Sequence, residues 1–319
     1  MLRNATSFLV ILLASLAHRA RANELKFPDG FRWSVATSGH QIEGGDTGSD
    51  WADWEARGHV ENGELSGQAC DHWNRLREDT MLLKALHVTQ YRFSMEWSKI
   101  EPEEGKWDAE ALRHYREEVA LLKENGIAPL ITINHYTLPR WIAKKGGWRW
   151  EGMPDAFARY SEFLYRKVAP EATDWITLNE PMVVILRGYM TGEYPPGFAS
   201  DEIACLPLRH MVQAHGRAYH RLHAIALETG RKIRVGAAHH LRVFQPLRGA
   251  GMGGRFDSTV AKTMDAFFNW AFPDAIEGGH LVVSLPGSLE INEFIPEAVR
   301  TQDYFGLNYY SREIVRFRQ

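Results

Sequence analysis

The residues best suited to chemistry are Asn179 and Glu180, at the end of the apolar stretch Trp175-Ile176-Thr177-Leu178 and directly before Pro181. The stretch reads as a short buried strand, with aromatic and β-branched residues and no charge between Asp174 and Glu180. Pro181 has no N–H for a ladder and suits the first turn of a helix, so the strand stops there. A carboxylic acid held half out of water at such a strand end can have a raised pKa and donate a proton. The plainer use of an isolated Asn-Glu-Pro is to cap the next helix. Other apolar runs also end in polar groups: Ser38 to Gly44 with Gln41 among them, His135 to Pro139, and Asn308-Tyr309-Tyr310. Arg92, between Tyr91 and Phe93, needs a buried partner, most simply a carboxylate.

The elements that must position these groups alternate along the chain. Runs at Phe31–Thr37, Val88–Ser94, Ala128–Asn134, Trp175–Leu178, Ile233–Ala238 and Tyr304–Asn308 read as strands. Helices are expected near 71–87, 108–125, 154–168, 206–229 and 255–270. Asp71 is the expected N-cap of the first, with Leu76, Met81 and Leu82 among its apolar positions, and Gly126 stops the second. Such alternation calls for a parallel sheet with right-handed crossovers. A doubly wound sheet is the rival. Polar residues converging at the strand ends favour an α/β fold of the TIM (β/α)8 barrel type. About six of eight βα units are present, so the expected barrel is incomplete.

Composition is that of a globular protein, 45% hydrophobic and 24% charged, with formal net charge -3. So balanced a charge gives no support to nucleic-acid or anionic-membrane binding. Eleven Trp and eleven Tyr suit stacking on sugar faces but equally fill cores. Arg3, the apolar run Phe8–Ala17 and Ala20-Arg21-Ala22 read as a secretory signal peptide over residues 1–22, too short to span a bilayer. Residues 23–319 then form the barrel domain, and the expected location is secreted or periplasmic. Cys70 and Cys205 permit one disulfide, and Cys70, ahead of a helix, would equally serve as a small buried residue. Gly249–Gly254 fits a dinucleotide glycine pattern only formally, because it does not follow a strand. His239-His240, and His210 with His215, lack the neighbours and spacing of a metal site and read as structural histidines. No cofactor and no metal is expected.

Seven short strings taken together resemble the family 1 glycoside hydrolases, the β-glucosidase family with a TIM barrel. They are Phe27-Pro28-Asp29-Gly30-Phe31, Gln41-Ile42-Glu43-Gly44, Tyr91-Arg92-Phe93-Ser94, and Asn134-His135 with Leu138-Pro139. To these are added Gly146-Gly147-Trp148, Thr177-Leu178-Asn179-Glu180-Pro181 and Gly306-Leu307-Asn308-Tyr309-Tyr310. The resemblance implies that Glu180 is the general acid/base and that Gln41, His135 and Asn179 hydrogen-bond the hydroxyls of the sugar being cleaved. It implies that Tyr310 hydrogen-bonds the catalytic nucleophile, that Arg92 keeps that carboxylate ionised, and that Asn308 supports them. Such chemistry needs two carboxyl groups about 5 Å apart whose surroundings push their pKa values apart.

The departures from the family pattern concern the second carboxylate. The family's nucleophile is a Glu in a Thr-Glu-Asn-Gly-like string at the end of strand seven, and this chain has no such string. Glu290 and Glu293 lie between the fifth helix and the sixth strand, in another context. Strands seven and eight, with a later Glu and Trp loop that reads the sugar's 4- and 6-hydroxyls, are also missing. An open arc of this kind exposes two sheet edges, so poor solubility is expected of the chain as given. The function expected is a retaining β-glycosidase hydrolysing O-glycosidic bonds of β-glucoside-like small carbohydrates, with its nucleophile missing. The alternative is a catalytically dead sugar-binding remnant. Sugar, aglycone and oligomeric state are not specified.

Overall fold

Parallel pairing joins six strands into one sheet in the computed structural model of the chain, which describes residues 26–317. In chain order they are β1 (Ser34–Ala36), β2 (Gln90–Ser94), β3 (Ala128–Asn134), β4 (Asp174–Asn179) and β5 (Arg234–Pro246). An antiparallel hairpin of β6 (His280–Leu285) and β7 (Leu289–Phe294) then precedes the last sheet strand, β8 (Tyr304–Val315). Helices fill the crossovers: α1 (Asp50–Ala56) and α2 (His72–Ala85), then α3 (Ala109–Glu124), α4 (Met153–Lys167) and α5 (Asp201–Glu228). Between β5 and the hairpin come α6 (Gly251–Met264) and α7 (Ala271–Gly278). Strand order in the sheet is β1-β2-β3-β4-β5-β8, each crossover leading to the next position. That steady winding is a barrel's; a doubly wound sheet reverses its order at a switch point. The six strands therefore form an open arc of a barrel.

The chain divides into two units, Met1–Trp33 and Ser34–Gln319. In the first, the rings of Phe27, Phe31 and Trp33 gather within 5.1 Å of one another, so the strand expected from Phe31 begins only at Ser34. The signal peptide expected over residues 1–22 lies outside the described residues. In the second unit, β4 is buried at all six positions, as a central strand covered on both faces must be. Trp97 stacks on Tyr160 at 4.2 Å in the surrounding core.

Several boundaries moved for local reasons. Asp108 does cap α3, accepting from Ala111 N at 2.8 Å. Asp71 does not cap α2: its backbone is left-handed (φ 56) and its carboxylate accepts instead from Asn74 Nδ2. The buried stripe of α2 is Leu76, Thr80 and Leu83, while Met81 and Leu82 are exposed. Helix α5 starts before the expected Leu206 and carries Pro207 in its interior, at the loss of one backbone hydrogen bond. The hairpin was not among the expected strands; its alternation on either side of Pro286-Gly287 buries Leu281, Val283, Leu289 and Ile291. Cys70 is exposed rather than buried, and both it and Cys205 are free thiols. On β8, Phe305, Leu307 and Tyr309 remain 43%, 58% and 56% exposed, so one face of this edge strand is uncovered among the described residues.

Candidate active site

The register of β4, β5 and β8 decides which side chains meet at the carboxyl end of the sheet. Asn179 lies level with Ala238, and His240 level with Asn308. Side chains two residues apart share a face of a strand, so His240 and Ala238 share one, as do Asn308 and Tyr310. Glu180 is the turning residue (φ 49) and makes no capping hydrogen bond to the helical turn Pro181–Val184. Capping is therefore not its use. Tyr136, one residue beyond His135 in the loop after β3, is also left-handed, at φ 75. Non-glycine residues in this region carry backbone strain and gather at functional sites.

These two strained residues touch. The Tyr136 hydroxyl donates to Glu180 Oε2 in a very short hydrogen bond, and His240 Nδ1 lies 3.7 Å from the same oxygen. On the other oxygen, Oε1, Asn308 Nδ2 donates at 2.7 Å and the Tyr310 hydroxyl at 3.2 Å. Arg92 sits beneath, donating to Asn179 Oδ1 at 2.5 Å, Asn308 Oδ1 at 3.3 Å and Thr132 Oγ1 at 3.1 Å. The carboxylate expected as its partner is replaced by amide oxygens, which accept its donors without bringing a second negative charge close to Glu180. With Oδ1 so occupied, the Asn179 amide turns Nδ2 toward His135 Nε2 at 3.1 Å.

Electrostatics follow from these contacts. Burial by itself would push the Glu180 carboxyl up, but bonds to His240, Tyr136 and Asn308 outweigh it and bring the pKa down to about 2. The raised value expected of a proton donor is not realised in this setting. Burial, with the nearby charge of Arg92, lowers His135 to about 3, so its imidazole is neutral. Because Nε2 faces a donor amide, the proton belongs on Nδ1, a buried atom with no hydrogen-bond partner. That is an unmet donor on the ring whose other nitrogen meets the amide of Asn179, the neighbour of Glu180.

The structure thus brings together Glu180, Asn179, His135, Arg92, Asn308 and Tyr310. Gln41 does not join them: it is exposed on the turn Gly39–Ile42 and accepts from Ser38 Oγ at 2.7 Å. Tyr310 and Asn308, expected to serve a nucleophile, both reach Glu180. Glu293 is bound by Arg209 of α5. Tyr136 and His240 are the residues sequence reasoning missed. His239 and His240 were read alike, yet His239 is buried and stacks on Phe305 at 4.5 Å while His240 turns to Glu180. His210 and His215 are structural as expected, meeting Trp148 O at 2.8 Å and Thr177 Oγ1 at 2.6 Å.

A parallel βα arc that gathers a carboxyl, an imidazole and amides on the rim of its strands has the build of a barrel protein with a polar small-molecule site at its strand ends. The chain belongs to glycosyl hydrolase family 1, whose model matches residues 23–319. It is 33% identical over 314 residues to Beta-glucosidase A of Thermotoga maritima, covering 92% of this chain and 68% of that protein. A 1,4-beta-D-glucan glucohydrolase of Thermotoga neapolitana is also 33% identical, with 70% of its length covered. Among solved structures, the beta-glycosidase from Pyrococcus horikoshii superposes with a TM-score of 0.80 at 35% identity, covering 90% of this chain and 63% of that one. The beta-glucosidase from T. maritima in complex with glucoimidazole gives 0.81 at 32%. The chain thus spans between 63% and 70% of the length of these relatives.

Proposed function

We propose that the chain is a retaining β-glycosidase that cleaves O-glycosidic bonds of β-glucoside-like substrates by double displacement, with Glu180 as its acid/base. The observation that carries this reading is the Glu180 carboxyl, held at the strand rim beside the unmet imidazole N–H of His135. In the first step Glu180 gives its proton to the departing glycosidic oxygen while a second carboxylate attacks the sugar carbon. In the second step, ionised Glu180 takes a proton from the water that releases the sugar. His135 and Asn179 hold the sugar's hydroxyls; Arg92 fixes Asn179.

At its present pKa Glu180 is already ionised at neutral pH, ready for the second step and not for the first. A second carboxylate about 5 Å away would raise it by repulsion and make it a donor. No second carboxylate touches the Glu180 network among the described residues. The ionised state of Glu180 at neutral pH favours a second reading, a sugar-binding protein without turnover. Titration with glucoimidazole and assay of an activated β-glucoside separate the two. Turnover that is lost in Glu180→Gln supports the glycosidase, and binding without turnover supports the binding protein. Neither result would leave no role for the site. We also propose export, with cleavage after Ala22; an N-terminus still at Met1 in the mature protein would refute it.

A further inference from the structure

We propose that Thr137 and Asp50 are positioning residues: together with Glu96 they clamp the strained turn His135–Thr137 and so aim Tyr136 at Glu180. As a part of the chemistry, this rests on the reading of Glu180 given above. The turn itself creates the need. Thr137 N donates to His135 O at 3.0 Å, closing a three-residue turn around Tyr136, whose φ is 75. A three-residue turn with a positive φ at its centre is the rare, strained kind. Such a conformation lasts only where its surroundings over-determine it. Both side chains that it presents serve the site: the Tyr136 hydroxyl binds Glu180 Oε2, and His135 Nε2 meets the Asn179 amide at 3.1 Å. A turn relaxed toward ordinary backbone would swing both away.

The restraint comes from hydrogen bonds on either side of Tyr136. At the end of β3, Asn134 Nδ2 donates to Thr137 O at 2.8 Å. The Thr137 hydroxyl donates to Glu96 Oε2 at 2.8 Å, and both residues are buried. Leu138 N donates to Asp50 Oδ1 at 2.8 Å, and Leu138 O accepts from Asp50 N at 2.9 Å, where α1 begins. Glu96 is fixed in its turn. Its other oxygen accepts from Ser98 Oγ at 2.9 Å, and its backbone N–H donates to Tyr115 Oη on α3 at 2.9 Å. It follows β2, the strand paired with β3, so the clamp joins neighbouring strand ends. A carboxyl is unfavourable in that place: burial, with Asp46 and Glu43 nearby, pushes Glu96 up to about 7. What the position secures is its two donors, Ser98 and Thr137, and the second of these belongs to the turn.

The test is the Glu180 carboxyl signal in carbon-detected NMR of the full chain, titrated without substrate. Thr137→Val keeps the branched shape and removes the hydroxyl, and the midpoint should rise from about 2, as in Tyr136→Phe. Thr137→Ser keeps the hydroxyl and should leave the midpoint in place. In a Tyr136→Phe background, Thr137→Val should shift it no further, because the contact through which it acts is already gone. Should Thr137→Val fail to fold, Asp50→Ala frees Leu138 N and carries the same expectation, whereas Asp50→Asn keeps an oxygen acceptor and should leave the midpoint unchanged. Glucoimidazole binding should weaken at least about fivefold in Thr137→Val and hold in Thr137→Ser, since His135 follows the turn. A lower Tm with an unmoved midpoint, an equal shift in Thr137→Ser, or a full further shift in the Tyr136→Phe background overturns the proposal. The midpoint needs no turnover. A shift in a chain that never cleaves an activated β-glucoside would keep the clamp and reject the glycosidase reading; cleavage with an unmoved midpoint would do the reverse.

Discussion

His240 Nδ1 stands 3.7 Å from Glu180 Oε2, brought there by β5 running beside β4, and shares that oxygen with the Tyr136 hydroxyl. The carboxylate thus has donors on both oxygens, which holds it ionised although it is buried. Removing one partner while the burial remains must move its titration upward. Carbon-detected NMR of labelled Glu180 should find a midpoint near 2 in the wild type. His240→Asn and Tyr136→Phe should each raise it, toward or beyond the ordinary 4.5. A midpoint that stays put in both variants would mean that these contacts do not set the charge.

Arg92 orients two amides, Asn179 and Asn308, that in turn face His135 and Glu180. A lysine keeps the charge but lacks the planar fork that reaches three oxygens at once. Arg92→Lys should therefore weaken glucoimidazole binding by about tenfold, roughly 1.4 kcal/mol. It should also cost about 2 kcal/mol of stability in urea unfolding, since buried acceptors are left unmet. Binding equal to wild type would show that the amides hold their orientation without it.

What could be read from the chain followed from local rules, and what could not required knowing which strands lie side by side. Asn179 and Glu180 were visible because an apolar run, a proline and two polar residues are adjacent in sequence. The partners of Arg92 were not, since an arginine in a strand needs acceptors but cannot say whether they are carboxylates or amides. His240 was lost by ending the fifth strand at Ala238. Carried on to Pro246, the same alternation would have put His239 and His240 on opposite faces. Gln41 was assigned to the site from resemblance alone, and its turn leaves it exposed and bonded to Ser38. The barrel winding was inferred from converging strand ends, and the strand order bears it out.

Gly216 tests how tightly the helix layer supports β4. An alanine inside a helix is ordinarily worth about 1 kcal/mol over glycine. Here its Cβ would stand 2.3 Å from the backbone oxygen of Glu297, and overpacking against backbone costs about 1–3 kcal/mol. The clash outweighs the propensity. Its neighbour His215 bonds Thr177 Oγ1 on β4 at 2.6 Å, so a shifted helix also pulls on the strand that carries Glu180. Gly216→Ala should lower Tm and weaken glucoimidazole binding; a raised Tm would show that the contact yields freely.

His40 makes stability fall as pH rises above neutral. Burial alone would lower its pKa, but bonds to Asp46 at 2.8 Å and Glu55 at 2.9 Å outweigh that and raise it to about 9. His72, between Glu118 and Asp79, is raised to about 9 in the same way against its own burial. A raised pKa means that the folded state binds more protons than the unfolded one between 6.5 and 9. The two ion pairs therefore stabilise fully below pH 6.5 and are lost as pH climbs through 9. Groups that oppose this trend are silent above about pH 8: His114, His135, His215 and His239, all lowered by burial, and Glu180 cost stability only as pH falls below that. The buried carboxyls of Glu96 and Asp50, raised to about 7, add to the fall with the same sign and have largely finished titrating by about pH 8. Between about pH 8 and 9 the slope thus belongs to the two histidines. Urea midpoints should drop across that range in the wild type, and His40→Gln, though less stable throughout because Asp46 and Glu55 lose their cation, should drop less steeply. An identical slope in both proteins would show that His40 carries no proton in the folded chain.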